Sequence, residues 1–141
     1  MSTSHHLQRI VLIDRQRYWR DLFARALTSI GYFVCVLETY HYIVPFDCLQ
    51  GANPNLVILD CPQVNTAEQK LIKQILMHKH HLLVLCSSPS WQMMRALFLQ
   101  GVDDVVEKPY NPEYFVHTVD QVLASITPLN SYQEVERSGA R

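Results

Sequence analysis

Apolar residues along this chain fall into five short runs, and the stretches between them repeat at helical spacing. Ile10-Val11-Leu12-Ile13 runs into Asp14, and Phe33-Val34-Cys35-Val36-Leu37 is apolar throughout. Leu56-Val57-Ile58-Leu59 runs into Asp60, Leu82-Leu83-Val84-Leu85 into Cys86, and Val105-Val106 precedes Glu107-Lys108-Pro109. Continuous apolar runs bounded by turn residues predict strands covered on both faces. Between the first two runs, Leu22, Phe23, Ala26, Leu27 and Ile30 lie on one helical stripe, with Gly31 where the C-cap belongs. Thr66-x-x-Gln69 has the form of a capping box ahead of Leu71, Ile72, Ile75 and Leu76. Pro89 and Ser90 introduce a helix turning Met94, Leu97 and Phe98 inward and stopping at Gly101. Asn111 as cap and Pro112 at the first helical position open a last helix, buried through Phe115, Val119, Val122 and Leu123 and closed by Pro128. Pro45, Gly51 and Pro54 interrupt residues 38–54, which predicts at most a short helix near 40–50.

Five strands alternating with helices demand a parallel sheet with helices on both faces, because each crossover returns right-handed across it. The 141 residues, 48% hydrophobic and 18% charged, fit one globular domain. Its expected span is 9–127, between a disordered tail at 1–8 and a polar tail at 128–141. Twelve basic residues against thirteen acidic leave no electrostatic footprint for nucleic acid or an anionic membrane. No apolar run is long enough to span a bilayer, so the expected location is cytoplasmic. The cysteines at 35, 48, 61 and 86 have no zinc-finger or CxxC spacing.

In this architecture Asp14, Asp60, Cys86 and Lys108 fall at the C-terminal ends of strands one, three, four and five. They converge on one rim, where open α/β sheets gather their ligands. Taken singly, each has a plainer reading: Asp60 before Cys61-Pro62 is also ordinary turn punctuation, and a lysine is most often a solvated surface residue.

Together these segments resemble, in order and spacing, the response-regulator receiver family, the CheY-like domains. Arg9–Asp14, Leu56–Asp60, Leu82–Cys86 and Gly101–Pro109 carry the likeness, which covers roughly residues 8–126; Lys108-Pro109 is its most specific element. The resemblance implies a flavodoxin-like three-layer sandwich with a five-stranded parallel sheet in the order 2-1-3-4-5. It implies a non-enzymatic switch in a two-component phosphorelay, with Asp60 accepting a phosphoryl group from a histidine kinase or phosphotransfer protein. Lys108, with Cys86 and Ser87, would contact the phosphoryl oxygens. Mg²⁺ would sit on Asp14 and Asp60, and the bond before Pro109 is usually cis in the family. A carboxylate attacks phosphorus only when the oxygens being transferred are neutralised, and Mg²⁺ needs hard oxygen ligands clustered on one edge. A downstream protein partner is implied, with no direct contact to nucleic acid or membrane; a homodimer is left open.

The departures are as informative. Receivers usually carry two acids after the first strand, whereas this chain reads Asp14-Arg15-Gln16. Mg²⁺ binding is therefore expected to be weak or absent. The Arg15 guanidinium either supplies the missing positive charge, pairing with Asp60, or swings outward. The switch hydroxyl of the family falls on Cys86, a poor donor, which Ser87 or Ser88 replaces only if the strand end shifts. The aromatic switch position is Val105, and Pro62 comes early after the acceptor. These losses support an alternative reading, a phosphorylation-independent pseudo-receiver that acts constitutively by binding a partner.

An aspartate-nucleophile phosphatase would need an acid two residues after Asp60, where Pro62 stands. A flavin site would need small residues where Arg15-Gln16-Arg17-Tyr18 stand. Cys61 and Cys86 lie near neighbouring strand tips, as a redox pair, half a metal site or plain buried hydrophobes. His78-Lys79-His80-His81 suits a solvated helix end better than a metal site.

Overall fold

The computed structural model describes residues 8–38, 46–108 and 111–126. The expected tails, the bond before Pro109 and the closing Pro128 lie outside those residues. Ten elements alternate as β1 (Arg9–Ile13), α1 (Arg17–Ser29), β2 (Phe33–Leu37), α2 (Phe46–Ala52), β3 (Leu56–Asp60), α3 (Thr66–Met77), β4 (Leu82–Cys86), α4 (Trp91–Gln100), β5 (Asp104–Glu107) and α5 (Pro112–Ile126). All four strand pairings are parallel, and the sheet order is β2-β1-β3-β4-β5.

Strands β1, β3 and β4 bury nearly every side chain because helices cover both faces. One face packs Val11, Val57, Leu59 and Val84 against Leu49 of α2, Leu71, Ile72 and Ile75 of α3 and Leu97 of α4. The other packs Ile10, Leu12, Ile58 and Leu85 against Phe23 and Leu27 of α1 and Phe115 and Val119 of α5. There the Phe23 and Phe115 rings stack with centroids 4.1 Å apart, pinning α1 to α5. The Tyr32 hydroxyl donates to the Asp120 carboxylate and ties the start of β2 to α5; burial first, and then Asp120, push its acidity well above the ordinary tyrosine range.

Several local expectations shift. β2 is an edge strand rather than a buried one, so Phe33 is 66% exposed. The capping box of α3 lies one residue earlier than the Thr66–Gln69 pattern. Asn65 Oδ1 accepts from Glu68 N at 2.9 Å and Glu68 Oε1 accepts from Asn65 N at 3.0 Å. An Asn cap with Glu at N3 satisfies the same orphan donors as the expected Thr and Gln. The short helix expected near 40–50 is α2, described over Phe46–Ala52 with Gly51 inside it; positions 40–45 lie outside the described residues. Phe98 of α4 is 43% exposed, so that helix buries Leu97 alone, with Met93 and Met94 partly covered. Gly31 and Gly101 follow α1 and α4 at φ 108° and 110°, a left-handed conformation that costs glycine no Cβ clash. Asn111 caps α5 as expected, its Oδ1 accepting from Glu113 N at 2.8 Å and Tyr114 N at 3.2 Å.

Candidate functional site

Three strand ends deliver one ion-paired cluster. Asp14 follows β1, Asp60 is the last residue of β3, and Lys108 follows β5; all three are buried. Lys108 Nζ donates to Asp14 Oδ2 at 2.8 Å and lies 3.3 Å from Asp60 Oδ1. The second approach is close enough for an ion pair but off the line of a hydrogen bond, so among the described residues Asp60 Oδ1 is buried with no hydrogen-bond donor. Backbone register places these groups without help from the loops: Lys108 N donates to Cys86 O at 2.7 Å and Cys61 N to Leu85 O at 2.8 Å, continuing the ladders past the strand ends.

Gln16 and Arg20 complete the cluster. Gln16 N donates to Asp14 Oδ1 at 2.8 Å, and Gln16 Oε1 accepts from Lys108 Nζ at 3.1 Å. Arg20, in the first turn of α1 and 7% exposed, donates from one guanidinium nitrogen to Asp14 O at 3.2 Å. Its other terminal nitrogen lies 3.0 Å from Glu38 Oε1, beyond the end of β2. Neither residue stands out as a site residue from sequence. Arg20 nonetheless leaves a signal, since it shares the inward stripe of α1 with Phe23 and Leu27. A charge on an apolar stripe has to find partners.

Burial, and then the like charge of Asp14, push the Asp60 carboxyl up to about 6, against the opposing pull of Lys108 and, more weakly, Arg15. Arg15 is exposed, and its charge still reaches Asp60. The remaining residues of interest stand apart. Cys86 is fully buried in the cluster beneath α3 and α4, and burial followed by Asp60 pushes its thiol up to about 12. Burial raises the Cys61 thiol further still, out of the range where a thiolate forms. Ser87 is exposed, and its backbone N–H donates to Pro62 O at 3.0 Å. Val105 is buried in the same cluster as Cys86. His81 pairs with Asp103 at 3.2 Å and His78 stacks on Phe46 at 4.7 Å, far from this rim in the register of the sheet.

The donor set does not fit a divalent cation. Both oxygens of Asp14 are already engaged, Asp60 Oδ1 faces the same ammonium, and the residue after Asp14 is Arg15, which cannot ligate a cation. Among the described residues no group of three or more His, Cys, Asp or Glu side chains could hold a metal ion. Magnesium needs only one or two carboxylates beside its waters, but here both carboxylates face an ammonium.

No protein-family model matches the sequence, and a search of curated proteins finds no match. The fold does have solved counterparts. An orphan response regulator of H. pylori superposes with a TM-score of 0.69 at 21% identity, covering 84% of this chain and 98% of that one. A response regulator from Thermotoga maritima gives 0.70 at 19%, with 83% and 98% covered. A CheY-like receiver domain from Methanospirillum hungatei gives 0.68 at 17%, with 84% and 94% covered. Sheet order, helix placement and these superpositions agree: the chain has the flavodoxin-like fold of response-regulator receiver domains, in a divergent sequence.

Proposed function

We propose that this chain is a receiver in a two-component phosphorelay, with Asp60 as phosphoacceptor and Lys108 as the cation that meets the incoming phosphoryl group. The observation that carries this reading is the convergence of Asp14, Asp60 and Lys108 from three strand ends onto one buried point. In the step proposed, an Asp60 carboxylate oxygen forms the new O–P bond as the donor's P–N bond breaks. The electron pair leaves with the imidazole of a phosphohistidine, which takes a proton from water. Lys108 neutralises the equatorial oxygens in a poorly solvated pocket, where one charge counts for more than it would in water. Cys86 and Ser87 are assigned at most a minor share of phosphoryl contact, since a protonated buried thiol is a weak donor. The implied partners are a histidine kinase or phosphotransfer protein upstream and a protein target downstream. Among the described residues no helix is long and apolar enough to cross a membrane.

The second reading, a constitutive binding module, is favoured by one specific observation. Lys108 already occupies the space between the two aspartates, and the residues that would relay phosphorylation, Cys86 and Val105, are locked in core packing. Incubation with acetyl phosphate, followed by intact mass with Asp60→Asn alongside, separates the two. One added phosphoryl group in the parent and none in the variant supports the receiver. No gain under conditions that label a conventional receiver favours the binding module.

A further inference from the structure

We propose that the Lys108 ammonium, held in place by Gln16, is the resident cation of this acidic pocket and excludes a divalent metal from it. This rests on reading the rim as a receiver's acidic pocket, and it does not require that Asp60 be phosphorylated. The geometry has three parts. Lys108 Nζ lies 2.8 Å from Asp14 Oδ2 and 3.3 Å from Asp60 Oδ1, on the two carboxylates that would hold a metal. Gln16 Oε1 accepts a second hydrogen bond from the ammonium at 3.1 Å, so two hydrogen bonds and the Asp60 ion pair hold the nitrogen. Gln16 also donates its own N–H to Asp14 Oδ1 at 2.8 Å, which orients the carboxylate so that its other oxygen faces the lysine. Arg20, donating to the Asp14 carbonyl at 3.2 Å, occupies a further oxygen at the same strand end.

Gln16 is thus a positioning residue, joined to Lys108 across 92 positions of sequence. A neutral amide suits this place: it accepts from the ammonium and adds no negative charge that would draw in a metal. Lys108 is at contact distance from both buried acids, and Arg15 adds a weaker pull on Asp60. A divalent ion entering here has to expel Lys108 first, and that expulsion weakens its apparent affinity.

The test is Mn²⁺ titration of the full ¹⁵N-labelled chain, reading paramagnetic broadening of the backbone amides at 14, 60 and 108. Gln16→Met keeps the side-chain length and removes the acceptor at an exposed position. It is expected to tighten site-localised Mn²⁺ binding about tenfold, the equivalent of one hydrogen bond to a charged group. Lys108→Met, which frees both carboxylates, is expected to tighten it further. A second readout follows the Lys108 ammonium protons, whose exchange with water should be slow in the parent and fast in Gln16→Met. If Lys108→Met does not fold, the Gln16 variant decides both readouts. Equal Mn²⁺ affinity in parent and Gln16→Met, or equally fast ammonium exchange in both, overturns the inference.

Acetyl phosphate labelling with and without EDTA separates this inference from the phosphoacceptor reading. Labelling indifferent to chelation supports both. Labelling that demands Mg²⁺ overturns the resident-cation inference and keeps the receiver. No labelling, with the Mn²⁺ order as expected, overturns the phosphoacceptor and leaves the resident cation standing.

Discussion

The tips of β1, β3 and β5 differ sharply from the tip of β4, although all four lie on one rim. The first three present Asp14, Asp60 and Lys108, buried groups in which one ammonium faces two carboxylates. The β4 tip presents Cys86, a neutral thiol packed with Val84, Leu97 and Val105. One part of the rim is electrostatic and the other is hydrocarbon in all but name. The contrast teaches that neighbouring strand tips of one sheet can hold opposite kinds of surroundings: buried charge survives where an ammonium meets the carboxylates, and a thiol at the next tip joins the apolar core.

The largest expected effect breaks the charged part. Lys108→Met leaves Asp14 and Asp60 buried without the ammonium they both contact, and the protein should lose about 3–5 kcal/mol by urea unfolding at neutral pH. Adding Asp60→Asn to that variant should recover part of the loss, because the two positions are in contact and do not act additively.

The next effect concerns Asp60 alone. A carboxyl raised from 3.8 to about 6 holds its proton in the native state where the unfolded chain has released it. Stability contributed at this position therefore falls as pH rises from about 4 to about 6, by roughly 1.4 kcal/mol for each pH step of one across that window. Asp60→Asn should accordingly be more stable than the parent at pH 7, by about 1–3 kcal/mol, and the advantage should vanish below about pH 4. Thermal melts across that range read it directly; an Asn variant less stable at pH 7 would mean that Lys108 stabilises the charge more than burial penalises it.

The smallest effect probes the hydrocarbon part. Cys86→Ser places a hydroxyl among apolar side chains and should cost about 1–2 kcal/mol. A neutral or stabilising result in the same unfolding assay would show that the hydroxyl finds a partner on the charged side. The contrast between the two parts would then be one of residue choice rather than of geometry.

The strand tips are legible because a short apolar run ending in an acid, repeated in a βα alternation, marks a strand end, and the sheet order follows from the family likeness. Asp14, Asp60 and Lys108 meet as their positions imply. What the sequence conceals is pairwise and distant. Nothing local tells Gln16 from any polar residue before a helix; its role exists only once Lys108 arrives from β5. Arg20 is readable in principle, as a charge on the apolar stripe of α1. The α3 cap slips by one position because Asn65-x-x-Glu68 and Thr66-x-x-Gln69 satisfy the same local pattern, and only the hydrogen bonds choose between them. Phe98 misleads because a stripe of apolar residues on a short edge helix is wider than the surface available to bury it.

The bond from Lys108 to Asp14 spans 94 positions and joins the first strand to the last. A contact of that reach cannot form until nearly the whole chain has been brought together, and it gains nothing while the loop between its ends is still open. We expect it to close late, outside the nucleus from which folding starts, so that the φ-value of Lys108→Met is close to zero. Its stabilising effect should therefore sit almost wholly in the unfolding rate, so that the aspartate–lysine knot sets how long the folded domain lasts and not how quickly it forms.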